Sequence, residues 1–191
     1  MPAALSSGAA MPVPNLDASA RLVLVIGGAR SGKSAYAERL CLASGLSPLY
    51  LATAEARDAE MAARIDQHQA RRGSLWRSAE APLDLVEALD AHAGVHAIVL
   101  VDCLTLWLSN LIEAKRTPED ESARLIATLP KLAGPVVFVS NEVGLGIVPD
   151  NPLARRFRDE AGRLNQRIAE LADRVVFIAA GLPLVLKGVA A

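Results

Sequence analysis

Charge of one sign is missing from this 191-residue chain: 20 lysines and arginines stand against 21 acidic residues, for a net charge of −1. That balance argues against the broad basic surface that a nucleic acid or an anionic membrane would require. The basic run Arg71-Arg72 is too short to change it. Cysteine is nearly absent as well. Cys41 and Cys103 form no CxxC pair, so thiolate metal spacing is lacking, and two buried thiols in a reducing cytoplasm are the expectation. No apolar run approaches the ~20 residues of a membrane span. The N-terminus carries no basic n-region followed by an apolar h-region. A cytoplasmic protein is therefore expected, with no membrane span and no nucleic-acid partner. Internal repeats and a second domain are also missing. Apolar residues at 52% and charged residues at 21% fit one globular domain with a sizeable core.

Residues 1 to 20 are rich in Ala, Ser and Pro and read as a flexible N-terminal extension, so the folded domain is expected over 21–191. From there the chain alternates short apolar runs with amphipathic stretches. LVLVI (22–26), PLYLA (48–52), AIVLV (97–101), PVVFVS (135–140) and 174–179 read as strands buried in a sheet, with short candidates at 75–78 and 184–187. Helices are expected at 33–44, 58–72, 83–91, 104–112, 119–132 and 153–171, with Gly45 closing the first and Thr117-Pro118 opening the fifth. Residues 141–152 read as a loop. This order argues an α/β three-layer sandwich around a mainly parallel sheet.

Gly27-Gly28-Ala29-Arg30-Ser31-Gly32-Lys33-Ser34 fits GxxxxGK[ST] at every fixed position, after a strand and before a helix. Glycines let backbone N–H groups turn inward around phosphate oxygens, and the helix N-terminus adds partial positive charge. The pattern places the chain among RecA-like P-loop NTPases. Lys33 is expected to reach the β and γ phosphates of a nucleotide and Ser34 to ligate Mg²⁺. Asp102, ending AIVLV, has the position of a second magnesium ligand; the competing role is an N-cap for the helix that follows. An Asn-Lys-x-Asp guanine signature is lacking, which counts against a regulatory GTPase switch. His92 and His96 read as solvated loop residues. His68, among Arg64, Gln69, Arg71 and Arg72, could act as a base or nucleophile beside a phosphate, though residue types alone favour a surface histidine.

Beyond the P-loop, several longer segments resemble one family: ATA (52–54), EMAARI and QH within 60–68, Trp76 with Glu80-Ala81-Pro82, VDCLTLWLSNL (101–111), VSNEVGLGIVP (139–149), FRDEAGRLNQRIAELAD (157–173) and AGLPLVLK (180–187). The chain resembles the bifunctional adenosylcobinamide kinases / adenosylcobinamide-phosphate guanylyltransferases of cobalamin biosynthesis over nearly all of 21–187. The first 20 residues have no counterpart in shorter members.

The resemblance implies two reactions. Adenosylcobinamide is phosphorylated from ATP or GTP, and GMP is then moved from GTP to that phosphate through a guanylylated histidine, giving adenosylcobinamide-GDP and pyrophosphate. The matching histidine is His68, whose neutral form would attack, so guanylyl transfer is expected to weaken at acid pH. Nucleotide contacts fall on Gly27 to Ser34, Ala52, Thr53, Ala54, Gln69, Ala70, Arg71, Arg72, Glu80 and Asp102. Lys33 and His68 are the catalytic pair, and Ser34 with Asp102 the Mg²⁺ ligands. Glu80 is an acceptor for the guanine N1–H and N2–H₂ edge. A homo-oligomer is implied, a trimer in the family's best-known case. A single-activity metabolite kinase with a structural His68 is the alternative.

Overall fold

A computed structural model describes residues 20–55 and 73–188. The helix expected at 58–72 lies outside them, and with it His68, Gln69, Ala70, Arg71 and Arg72, as does nearly all of the N-terminal extension.

Seven strands form one sheet: β1 (Leu22–Gly27), β2 (Ser47–Ala52), β3 (Arg77–Glu80), β4 (Ala97–Asp102), β5 (Val136–Asn141), β6 (Arg174–Ala179) and β7 (Leu182–Lys187). Their spatial order is β3-β2-β4-β5-β1-β6-β7, parallel throughout except for the antiparallel hairpin β6–β7. The helices are α1 (Lys33–Ala43), α2 (Leu85–His92), α3 (Leu104–Glu113), α4 (Pro118–Thr128) and α5 (Pro152–Leu171).

Side chains alternate across the central strands, so each strand feeds two cores. On one face, Val23, Val25, Leu100, Val137 and Val139 pack with Tyr36, Ala37, Leu40 and Cys41 of α1. On the other, Leu24, Val99, Val101 and Phe138 pack with Leu89 of α2, Leu104, Trp107 and Leu111 of α3, Leu125 of α4, and Leu164 and Ile168 of α5. Burial on both faces is why these strands read as continuous Val, Leu and Ile runs. Trp107 is fully buried, and its Nε1–H donates to the Leu83 carbonyl at 2.9 Å. Asp173 ties down the entry to β1, its Oδ2 accepting from the backbone N–H groups of Arg21 (2.8 Å) and Leu22 (2.9 Å). Both cysteines are buried, as expected.

Beyond shifts of a residue or two, four differences from the sequence expectation have a physical reason. The strand placed at 75–78 runs Arg77–Glu80, because Gly73–Leu75 is a 3₁₀ turn; RSAE on the sheet edge has little apolar pattern to mark it. The helix placed at 119–132 ends at Thr128, and Leu129–Lys131 tighten into a 3₁₀ turn around Pro130, which has no N–H to continue an α-helix. The last strand starts at Leu182 rather than 184 and runs antiparallel, with Pro183 tolerated on the outer edge. His92 is the last residue of α2 rather than a loop residue.

Candidate active site

Because six strands are parallel, their carboxyl ends meet at one edge. Register places Gly27 beside Asn141, Ala52 beside both Asp102 and Glu80, and Asp102 beside Val139. The fold thus gathers the P-loop, the 52–54 segment, Glu80 and Asp102 at the edge where ligands bind in such sheets.

The loop from Gly27 to Lys33 closes through left-handed backbone at Arg30 (φ 55°) and Gly32 (φ 96°). The Ser31 N–H donates to the Gly28 carbonyl at 3.3 Å, and the Ser31 carbonyl accepts from Gly181 N–H at 2.8 Å, so the β6–β7 turn braces the loop from outside. The approach is close: a Cβ on Gly32 would stand 3.3 Å from Gly181 Cα, and one on Gly27 only 2.4 Å from the Ile178 carbonyl oxygen. Only a residue without a side chain fits at the root of the loop. Lys33 is 8% exposed, and its Nζ donates to the Gly28 carbonyl at 3.1 Å, folding the ammonium back over the loop. Helix α1 begins behind it with no side-chain cap. Its first N–H groups are the unsatisfied donors that an anion takes up.

Asp102 is half-buried, and its Oδ2 accepts from the Tyr50 hydroxyl at 3.0 Å. It does not hold the N-cap position of α3, which is Cys103. Tyr50 in turn packs edge-on against Trp76, with ring centroids 6.3 Å apart. One carboxylate oxygen is thereby fixed by a phenol while the residue faces the P-loop edge across a single intervening strand, β5. Among the described residues no group of three or more His, Cys, Asp or Glu could hold a metal. A single carboxylate and a hydroxyl, as Asp102 and Ser34 offer, suit an ion such as Mg²⁺ that takes most of its ligands from phosphates and water.

Thr53 is wholly buried and spent on internal bonds. Its hydroxyl accepts from Cys103 N–H and donates to the Cys103 carbonyl, both at 2.8 Å, and its N–H reaches the Asp102 carbonyl at 3.3 Å. Its carbonyl accepts from Asn110 Nδ2 at 2.7 Å, and the same amide group donates to Pro82 at 3.0 Å. Thr53 and Asn110 lock the ends of β2 and β4 and the turn after β3 into one unit, while Ala52 and Ala54 remain half-buried and Glu80 stands exposed at the rim. On the other side, Thr105 Oγ1 accepts from Asn141 Nδ2 at 2.8 Å and from Asn141 N–H at 3.3 Å. Asn165 Nδ2 donates to the Asn141 carbonyl at 3.3 Å. Burial holds the Cys103 thiol above its usual range, and the neighbouring Asp102 charge adds to this. The thiol is a neutral packing group at the back of the site.

Tyr50, Thr105, Asn110 and Asn165 were not singled out by sequence reasoning as site residues. Polar residues inside LTLWLSNL and GRLNQ, on helix faces otherwise apolar, are the signal that could have found Thr105, Asn110 and Asn165; Tyr50, inside a strand, carried none. A cleft of about 690 Å³ was likewise unforeseen. It runs along α5 beside β7, with Leu24, Ile26 and Val175 on its floor and Glu142, Arg158 and Gln166 among its polar lining.

The family whose sequence model is described as cobinamide kinase / cobinamide phosphate guanyltransferase matches residues 23–186. The bifunctional adenosylcobalamin biosynthesis protein CobP of Pseudomonas aeruginosa is 51% identical over 167 residues, spanning 86% of this chain and 96% of that protein. The similarly titled protein CobU of Salmonella typhimurium is 41% identical over 181 residues, spanning 87% and 99%. Among solved structures, an ATPase from the type III secretion system of pathogenic bacteria aligns with a TM-score of 0.53 at 12% identity, over 86% of this chain and 56% of its own. A Pyrococcus horikoshii protein aligns at 0.51 and 10% identity, over 89% and 87%. At such identities the solved structures speak to the P-loop fold alone.

Proposed function

This chain belongs to the cobinamide kinase / cobinamide phosphate guanyltransferase family, and on that premise we propose that it phosphorylates the side-chain hydroxyl of adenosylcobinamide and then transfers GMP from GTP to the new phosphate. The observation that carries this reading is the one sheet edge to which the P-loop, Asp102 and Glu80 all belong.

In the kinase step the P-loop N–H groups and Lys33 hold the β and γ phosphates and stabilise the charge that gathers between them. Ser34 and Asp102 would hold Mg²⁺, which when bound neutralises phosphate charge; Tyr50 keeps Asp102 aimed at that edge. The hydroxyl oxygen of the acceptor forms a bond to the γ phosphorus while the bond to the β-bridging oxygen breaks. In the second step His68 is the nucleophile on the α phosphorus of GTP, pyrophosphate leaves, and the corrinoid phosphate then displaces the imidazole. Gln69, Ala70, Arg71 and Arg72 follow His68 in sequence and would contact the same nucleotide, with Ala52 and Ala54 at the sheet edge. Glu80, exposed at the rim, would accept from the guanine edge. We place the enzyme in the cytoplasm as a homo-oligomer. No helix among the described residues is long and apolar enough to cross a membrane.

The test is incubation with GTP labelled at the α phosphate, without corrinoid, for wild type and His68→Ala. Acid-labile, base-stable label on the wild type alone is expected. Equal label on both proteins would move the nucleophile elsewhere, and no label on the wild type would leave a kinase of single activity.

A further inference from the structure

The kinase step needs a group to take the proton of the acceptor alcohol, and the mechanism above does not use one. The carboxylates of this edge are not equivalent. Asp102 already accepts from Tyr50 and is assigned to magnesium in the proposed mechanism. Glu80 ends β3, separated from the P-loop strand by β2, β4 and β5, and Glu55 follows β2, separated by β4 and β5. Glu142 directly follows β5, the strand hydrogen-bonded to β1, and its backbone N–H donates to the carbonyl of Gly27, the first P-loop residue, at 3.0 Å. Its side chain is held as well. Oε1 accepts from Gly144 N–H at 2.6 Å, which fixes the carboxylate on the short turn after the strand.

Glu142 also lines the mouth of the α5 cleft. The cleft adjoins the sheet edge at Glu142: Asn165, on its wall, donates to the carbonyl of Asn141, the residue before Glu142. It combines an apolar floor with guanidinium and amide groups from Arg158, Arg163, Asn165 and Gln166. That suits a large acceptor with an apolar body and an amide fringe, whose alcohol must arrive at the P-loop from outside the nucleotide.

We propose that Glu142 is the proton acceptor of phosphoryl transfer, with the alcohol entering from the α5 cleft. The proposal rests on the functional reading above. The alcohol oxygen bonds to the γ phosphorus, the phosphorus–oxygen bond to the leaving nucleoside diphosphate breaks, and the alcohol proton passes to Glu142 Oε2. The guanylyl step makes no such demand, because its acceptor is a phosphate already ionised at neutral pH.

The experiment compares wild type, Glu142→Gln and Glu142→Asp in two separate assays: ATP with adenosylcobinamide, and GTP with adenosylcobinamide phosphate. The Gln side chain keeps an oxygen that can accept from Gly144 N–H, so a merely structural role predicts near-normal kinase turnover in Glu142→Gln. Loss of the base predicts that kinase kcat falls at least ~100-fold. The KM values for both substrates should stay within about threefold, guanylyl transfer within about twofold, and Glu142→Asp should recover part of the kinase rate. Guanylyl transfer in the same preparation reports that the variant is folded. Kinase turnover retained in Glu142→Gln, or lost in parallel with guanylyl transfer, overturns the proposal while leaving the functional reading intact. A wild type without kinase turnover overturns that reading and the proposal together.

Discussion

Replacing Gly27 by Ala should destabilise the fold at one identifiable contact. A Cβ there would lie 2.4 Å from the Ile178 carbonyl oxygen and 2.8 Å from Ser31 Oγ. The serine can swing away. The Ile178 carbonyl cannot, because it belongs to β6 and Gly27 pairs with Ile178 in the parallel ladder; relief requires opening the β1–β6 seam beneath the P-loop. Overpacking of this kind costs about 1–3 kcal/mol. About 0.4–1 kcal/mol is regained because alanine restricts the unfolded chain. The net loss is then about 1–2 kcal/mol, or roughly 2–8 °C in Tm for a domain of this size. The control is the neighbouring glycine. A Cβ on Gly28 meets no heavy atom within 4 Å, so Gly28→Ala should change stability by no more than about 0.5 kcal/mol. Urea unfolding without nucleotide measures both. Equal stability of the two variants would refute the reasoning, as would a Gly27→Ala protein more stable than wild type.

Other perturbations probe the rest of the site. Asn110→Ala strips the donors from two carbonyls, Thr53 and Pro82, and should cost about 2–4 kcal/mol in denaturant titration; a loss under 1 kcal/mol would show that the two carbonyls find other partners. Glu80→Gln should erode the preference for GTP over ATP in guanylyl transfer while leaving the kinase step near normal, and unchanged guanine preference in competition assays would remove Glu80 from base recognition. The Cys41 thiol is pushed up by burial, and the nearby Glu38 charge adds to this, so the unfolded chain loses that proton first. The stability it contributes is complete below the unfolded value of about 8.5 and is lost as pH rises from there toward the folded value. Between pH 8.5 and 10 the unfolding free energy of Cys41→Ala should therefore fall less steeply than that of wild type, by up to about 1.4 kcal/mol per pH unit; parallel curves would contradict this.

The central architecture was legible because its residues are under single, strong constraints. Leu22 to Ile26 and Ala97 to Val101 are buried on both faces, so they could be little other than apolar and β-branched, and GGARSGKS must combine a tight turn with a helix start. For Asp102 the residues left two roles open, a metal ligand or a helix cap; Cys103, not Asp102, holds the N-cap position of α3, and Asp102 accepts from Tyr50. What stayed hidden depends on partners distant in sequence. Asn110 donates to the carbonyls of Thr53 and Pro82, Thr105 accepts from Asn141, and Asn165 donates to the end of β5, and no local pattern announces such pairings. The edge strand β3 escaped accurate placement because RSAE has neither alternation nor bulk. The α5 cleft is lined by residues from β1, β6, β7, α5 and the loop after β5, which is a property of topology rather than of any segment.

The most direct test of two activities in one chain is product analysis. The protein, with magnesium, is given adenosylcobinamide and ATP labelled at the γ phosphate, then unlabelled GTP, and the corrinoids are separated at each stage. The account predicts label moving first into a corrinoid monophosphate and then, after GTP, into a corrinoid guanosine diphosphate with release of pyrophosphate. Label appearing only as inorganic phosphate, with the corrinoid unchanged at both stages, would contradict it.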